Sequence, residues 1–277
     1  MKIYNTSKGI LIESETRFYL ITENWDKFIN NDNLYHHLKN LIPSMNPIDT
    51  HEYLIDQCLK VPLENQEIWA SGVTYFNSKM ARQEESKDSG GADFYERVYH
   101  ADRPELFFKA TAQRSVPSGG KVAIRKDSTW DVPEPELTLV ITSNGKIIGY
   151  TIGNDMSSRS IEGENPLYLP QAKTYDGCAG VGPCVLVTET PLPPDTAIHL
   201  KVYRNKDLIF NETTSIDKMK RKPQELVDYL FRECTFPKGC LLMTGTGIVP
   251  TTDFTLKKDD EIQIKIDPIG TLINYVR

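Results

Sequence analysis

Short apolar runs bounded by turn residues recur along most of this chain, a pattern that predicts strands more often than helices. Lys2–Tyr4, Gly9–Glu13 and Arg17–Thr22 read as strands, followed by a helix around Tyr35–Leu41. Pro43, Pro47 and Pro62 mark a connection, after which Glu67–Tyr75 reads as a buried strand opening the main body. Residues 77 to 97 have the charged composition of a helix pair, interrupted by Asp88-Ser-Gly-Gly91. Charged helices with glycine hinges suit a lid, expected over about 77–100, the alternative being a plain surface excursion. Beyond Pro104 strands dominate: Leu106–Lys109, Lys121–Ile124, Gly182–Val187, Ala197–Tyr203, Cys240–Thr244, Glu261–Ile266 and Gly270–Tyr275. The best helix is Pro223–Arg232, where proline suits the first turn. The expected fold class is α+β and β-rich, with a small N-terminal α/β domain over 1–65 and a main domain over 66–277.

One hairpin carries candidate chemistry. Trp130–Ile141 and Lys146–Asp155 flank Asn144-Gly145, a dipeptide suited to a type I′ turn, which needs positive φ at both central positions. That turn would set Ser143 opposite Lys146, Glu136 opposite Gly153 and Glu134 opposite Asp155. Side chains alternate along a strand, so Glu134, Glu136 and Asp155 would share one face, with Gly153 leaving room between them. Like charges set opposite one another destabilise a sheet. A hard divalent cation such as Mg²⁺ would relieve them. The alternative for this segment is an acidic, solvated hairpin.

Composition narrows the rest. The 277 residues carry a formal net charge of −6, and the longest basic run is Lys218-Met-Lys-Arg-Lys222, so a nucleic-acid partner is not expected. No run reaches the apolar length of a membrane span, and the start lacks the apolar core of a signal peptide. Five cysteines without a CxxC pair fit reduced thiols, so a cytoplasmic location is expected.

Four segments, taken in order, carry a resemblance: Glu134-Pro-Glu136-Leu, Asn154-Asp155-Met-Ser157-Ser-Arg159, Lys173-Thr-Tyr-Asp176 with Gly182-Pro183, and Thr244-Gly-Thr246-Gly. Together they resemble the fumarylacetoacetate hydrolase superfamily from about residue 67 to the C-terminus. The resemblance implies a rolled mixed β-sheet and a homo-oligomer, a dimer or dimer of dimers. It also implies a divalent metal on Glu134, Glu136 and Asp155, usually Mg²⁺, with Mn²⁺ or Ca²⁺ as substitutes. Tyr95–Tyr99, Arg103–Ala110 and Glu164–Lys173 are similar to the branch that dehydrates 2-keto-3-deoxy sugar acids, 2-keto-3-deoxy-arabinonate among them.

The hydrolases of the superfamily carry Gly-x-Asn-Tyr-x-x-His-x-x-Glu, whereas this chain has Gly72-Val-Thr-Tyr75-Phe-Asn-Ser78-Lys-Met-Ala81. Serine and alanine are no general bases near neutral pH, which disfavours water-driven C–C cleavage and leaves elimination of water open. The expected activity is therefore Mg²⁺-dependent dehydration of a 2-keto-3-deoxy sugar acid, giving 2,5-dioxopentanoate from a pentonate. The alternatives are an acylpyruvate or fumarylacetoacetate-type hydrolase, a dehydratase using Lys173 as a Schiff base, and a 2-keto acid binder without turnover.

Three carboxylates against one Mg²⁺ leave a negative site that would repel an anionic substrate, so cationic partners are expected in Arg159 and Lys173. Arg159 would fork onto the substrate carboxylate, or else pair with Asp155 or Glu162. Lys173 would act as the base with its pKa lowered by burial and the cation. Glu105 would protonate the departing hydroxyl, or else pair with Arg103. Thr246 and its backbone neighbours would grip the substrate carboxylate, or else form an ordinary turn.

Overall fold

The computed structural model describes residues 1–85 and 92–277; the expected glycine hinge at 88–91 lies outside the described residues. A large sheet runs in the order Arg17–Ile21, Gly9–Ser14, Lys2–Thr6, Ala179–Leu186, Ile147–Asp155, Pro135–Ile141, Cys240–Met243, Glu67–Gly72, Glu105–Ala110. Ser115–Val116 adds a short parallel strand beside Ala179–Leu186. A second sheet runs Asp207–Ser215, Ala197–Arg204, Glu261–Ile266, Gly270–Val276, Lys121–Val122. The fold is thus α+β and strand-rich, with a small β/α region at the N-terminus. Among the described residues the strand pairing closes neither sheet on itself, so the expectation of a rolled sheet is not carried by the pairing.

The two faces of the large sheet are covered differently, and this positions the site. Leu137, Leu139, Ile141 and Ile152 point one way and pack on Ile198, Leu200, Val202, Ile262, Ile264 and Ile266 of the second sheet. On the other face Val140, Val181, Leu241 and Met243 pack with Trp25, Phe28, Leu34 and Leu38 from the helices Trp25–Ile29 and Leu34–Leu41. Every residue of Pro135–Ile141 is buried, because a central strand covered on both faces has no solvated side. The N-terminal helices cover only part of their face. Glu134, Glu136 and Asp155 lie at the remaining end, with Phe76–Glu85 and Ala92–His100 nearby.

The decisive register came out as expected, but by a different route. Asn144-Gly145 does not form a two-residue type I′ turn. Gly145 N–H donates to Thr142 O, only Gly145 of the pair has positive φ, and Thr142 rather than Ser143 lies opposite Lys146. This three-residue loop shifts the pairing by one, so that Ile147 faces Ile141. A bulge at Ile148 then restores the count, with Gly149 opposite Val140 and Gly153 opposite Glu136. Asp155 N–H donates to Glu134 O at 2.9 Å, closing the ladder where the chemistry is. The two-residue hairpin with both positions at positive φ occurs elsewhere, at Asn205 (53°) and Lys206 (74°).

Asp207–Ser215 was not legible as a strand, because most of it is an exposed edge without apolar alternation. The late helix spans Pro223–Leu230 and is capped by Glu225 reaching back to Lys222 N–H. Gly153 does not leave the expected open space. A Cβ there would stand 2.4 Å from Thr138 Oγ1 and 2.9 Å from Met243 Cε, so the room is already filled. Gly153→Ala is therefore expected to cost about 1–3 kcal/mol through overpacking, read as a lower denaturant midpoint with an unchanged m-value.

Candidate active site

Glu134, Glu136 and Asp155 are all buried, and one oxygen from each lies within 4.8 Å of the others. Glu136 projects from the Pro135–Ile141 strand and Asp155 ends Ile147–Asp155, while Glu134 sits just before the first of these. Lys173, at the end of the helix Leu169–Lys173, reaches between two of them. Its Nζ donates to Glu134 Oε2 at 2.8 Å, to Asp155 Oδ2 at 3.0 Å and to Ser157 Oγ at 2.6 Å. Arg159 opens the helix Arg159–Glu164, whose N-cap is Ser158. Its Nη2 lies 2.7 Å from Glu134 Oε1, a partner that the sequence reading had not offered it.

Three further residues join the cluster, and of these only Glu162 had entered the sequence reading as a site residue, a possible partner of Arg159. Lys109 is fully buried, with Nζ at 2.5 Å from Asp155 Oδ1 and 2.9 Å from Met156 O, and it also bonds Lys173 O. A bulge explains its aim. Ile68 pairs with Ala110 but Trp69 pairs with Phe108, so Lys109 is the extra residue of its strand. Arg82, on the helix Phe76–Glu85, bridges Glu134 Oε1 at 3.0 Å and Glu162. A lysine amid the apolar run Leu106-Phe-Phe-Lys-Ala110 was a signal in the sequence; Arg82 looks like any charge on a polar helix.

The charges are unevenly shared. Burial alone would raise the Glu134 carboxyl, but Lys173, Arg159 and Arg82 hold it well below the usual carboxylate range. Glu136 goes the other way, raised well above that range by burial, then by Asp155 and Glu134; the Lys173 charge and the Gly245 N–H at 2.6 Å only partly offset this. Glu136 is the acid that a cation would satisfy, and an all-oxygen set of three buried carboxylates fits a hard divalent ion. Burial pulls Lys173 down, yet Asp155 and Glu134 outweigh it and keep the ammonium above its ordinary value. The lowering expected of this lysine belongs to the site with a cation bound, where the two carboxylates would face the ion as well as the ammonium.

Glu105 starts its strand opposite Gly72, where a Cβ would stand 2.0 Å from Glu105 Oε2, so the glycine is what admits this side chain. Burial raises its carboxyl to about 7. Arg103 lies instead over the Tyr229 ring at 5.6 Å. Glu105, Arg82, Glu134, Asp155, Glu162, Lys173, Ser78 and Thr246 line one cavity. Glu105 also lines the adjoining hollow formed with Phe94, Tyr95, Val98 and Leu167. Thr246 reaches the cavity, but its hydroxyl donates to Ile248 O at 3.0 Å and the Gly245 amide is taken by Glu136, so the anticipated anion nest is largely engaged within the protein. Ser78 is engaged too, donating to Tyr75 O at 2.8 Å.

Residues 68–277 match the family model for the fumarylacetoacetate (FAA) hydrolase C-terminal domain. The chain belongs to the fumarylacetoacetate hydrolase family. Within that family it is 48% identical over 223 residues to a probable 2-keto-3-deoxyxylonate dehydratase of Haloferax volcanii, covering 80% of this chain and 76% of the relative. It is 46% identical over 221 residues to the 2-dehydro-3-deoxy-D-arabinonate dehydratase of Saccharolobus solfataricus, covering 78% and 73%. It is also similar to a solved structure of 2-keto-3-deoxy-D-arabinonate dehydratase complexed with magnesium and 2,5-dioxopentanoate, at a TM-score of 0.85 and 36% identity over 100% of this chain and 99% of that one.

The charge distribution generates a test. Glu136→Gln removes a buried acid repelled by two others, so the metal-free protein is expected to gain about 1 kcal/mol of stability. The same variant should lose the rise in melting temperature that saturating Mg²⁺ gives the parent. Differential scanning calorimetry with and without Mg²⁺ checks both signs.

Proposed function

We infer that this chain is a divalent-metal-dependent hydro-lyase that removes water from a 2-keto-3-deoxy pentonate to give 2,5-dioxopentanoate. The observation that carries the reading is the buried Glu134–Glu136–Asp155 triad with Lys173 in direct contact, in a chain akin to a dehydratase solved with magnesium and that product. Ser78 and Ala81 stand where the hydrolase pattern has its water-activating pair, which supports elimination over C–C hydrolysis.

We assign Glu134, Glu136 and Asp155 to the metal, Mg²⁺ in the first place with Mn²⁺ or Ca²⁺ able to substitute. A divalent ion bound there supplies Lewis-acid polarisation of the 2-keto group and so acidifies the C3 protons. Lys173 becomes a base when Asp155 and Glu134 turn their charge toward that ion, because the same two carboxylates now hold its proton. Lys173 Nζ takes the C3 proton, and Glu105, which burial keeps protonated up to about pH 7, gives a proton to the departing C4 hydroxyl. The C3–C4 alkene that remains shifts a proton from C5 to C3, and the C4–C5 enol tautomerises to the aldehyde.

Charge balance favours a monoanionic substrate. Lys109, Lys173, Arg82 and Arg159 face Glu134, Glu136, Asp155 and Glu162, so a divalent ion leaves the pocket with an excess of two positive charges. Thr246 belongs to the cavity wall, and Arg159 shapes the field from behind Glu134.

We place the catalytic residues in a unit spanning 66–277, with 1–65 an N-terminal unit joined to the same sheet. The start of the family match at residue 68 supports that division. We further assign the protein to the cytoplasm as a homodimer. Five free cysteines, four of them buried, are consistent with the compartment, and no helix among the described residues is long and apolar enough to cross a membrane.

A panel of 3-deoxy-2-keto acids with Mg²⁺, read by aldehyde formation, tests the reading. Turnover on pentonates, lost in EDTA and restored by Mg²⁺, is expected; turnover on acylpyruvates alone would contradict it. Because Glu105 must carry its proton, the rate should fall as pH rises through about 7. Glu105→Gln should flatten that limb and slow turnover by about 10²–10⁴-fold, as stopped-flow pH profiles would show.

A further inference from the structure

Of the four buried cations around the carboxylate cluster, two line the catalytic cavity and two do not. Lys173 and Arg82 line it; Lys109 and Arg159 lie outside its lining. Lys109 is bound to Asp155, Met156 O and Lys173 O, which accounts for the three protons of its ammonium. Arg159 sits on Glu134 from the start of its helix, where its backbone N–H is held by Trp130 O at 2.8 Å. With Lys173 assigned to proton transfer, Arg82 is the cavity-lining cation left to meet an anionic substrate.

Arg82 also occupies a suitable face. Ser78 and Arg82 stand four residues apart on Phe76–Glu85, hence on one side of the helix, and both line the cavity. That side corresponds to the one where the hydrolase pattern carries its histidine and glutamate. In this chain it presents a guanidinium beside a serine hydroxyl already given to Tyr75 O, and a guanidinium holds an anion rather than activating water. The fork of Arg82 is already divided: Nη1 pairs with Glu162 and Nη2 with Glu134 Oε1 at 3.0 Å. Glu134 is at the same time bonded by Lys173 and Arg159, so it can release Arg82 and remain compensated.

We propose that Arg82 binds the carboxylate of the 2-keto acid, keeping Glu162 on Nη1 and turning Nη2 from Glu134 to the substrate. This rests on the dehydratase reading and moves the carboxylate-binding role from Arg159 and Thr246 to a residue of the helix pair over the site. The planar fork suits a carboxylate, and Glu162 fixes its plane.

The test uses the full chain loaded with Mg²⁺ and pyruvate, a 2-keto acid with no C4 hydroxyl to expel. Arg82→Gln is expected to weaken pyruvate binding by at least ~30-fold in calorimetric titration and to raise KM for the sugar acid by a similar factor, with a smaller change in kcat. Mn²⁺ binding, followed by electron paramagnetic resonance, should stay the same or tighten, because a competitor for Glu134 is gone. Arg82→Lys keeps the charge without the fork and should fall between the two; it also serves as the readout if Arg82→Gln does not fold. Unchanged pyruvate affinity and KM in these variants would overturn the assignment, as would loss of Mn²⁺ binding in step with pyruvate binding. If the parent chain neither binds pyruvate nor turns over any sugar acid, the dehydratase reading itself falls, and the Arg82 assignment with it.

Discussion

Three carboxylates held together out of water set the terms for this whole region of the molecule. Without cations around them, they would take up protons or force the strands apart. Instead the protein surrounds two of them with cations: Glu134 with Lys173, Arg159 and Arg82, and Asp155 with Lys109 and Lys173. Glu136 receives one backbone N–H from Gly245 and the repulsion of its two neighbours. That asymmetry is the physical content of the site. The pocket is compensated overall yet short of positive charge at Glu136, the carboxyl that a small divalent ion would satisfy.

The sheet makes this arrangement possible. Glu134, Glu136 and Asp155 come from adjacent antiparallel strands, so their separation is fixed by backbone hydrogen bonds such as Asp155 N–H to Glu134 O. The second sheet covers the opposite face with aliphatic side chains and makes the strands stiff supports. Departures from regular pairing occur near the chemistry. The bulge at Lys109 aims an ammonium at Asp155, and Gly72 yields the space that Glu105 fills. Each departure gives up local regularity for one side chain in the right place.

Much of the site could be read from the residues alone, for reasons that differ from one residue to the next. The facing of Glu134, Glu136 and Asp155 followed from the alternation of strands, and it survived a misread turn because the three-residue loop at Gly145 and the bulge at Ile148 cancel. The proximity of Lys173 and Arg159 to the triad, by contrast, came from resemblance. No periodicity places the end of a five-residue helix against a strand 18 residues earlier. Lys109 was hidden by a bulge, and Arg82 by a helix whose polar face looks solvated. The sign of the Lys173 shift depends on two carboxylates at about 3 Å, a distance that sequence does not contain. Among the strands, Asp207–Ser215 escaped notice because an exposed edge needs no apolar face.

A crystal soaked in Mn²⁺ and measured at the manganese absorption edge tests the account at its centre. The account predicts one anomalous peak between Glu134, Glu136 and Asp155, with an oxygen of each as ligand and the Lys173 ammonium moved off Asp155 Oδ2. Retention of the Lys173 contacts to Glu134 and Asp155 with no peak between the three carboxylates would contradict it.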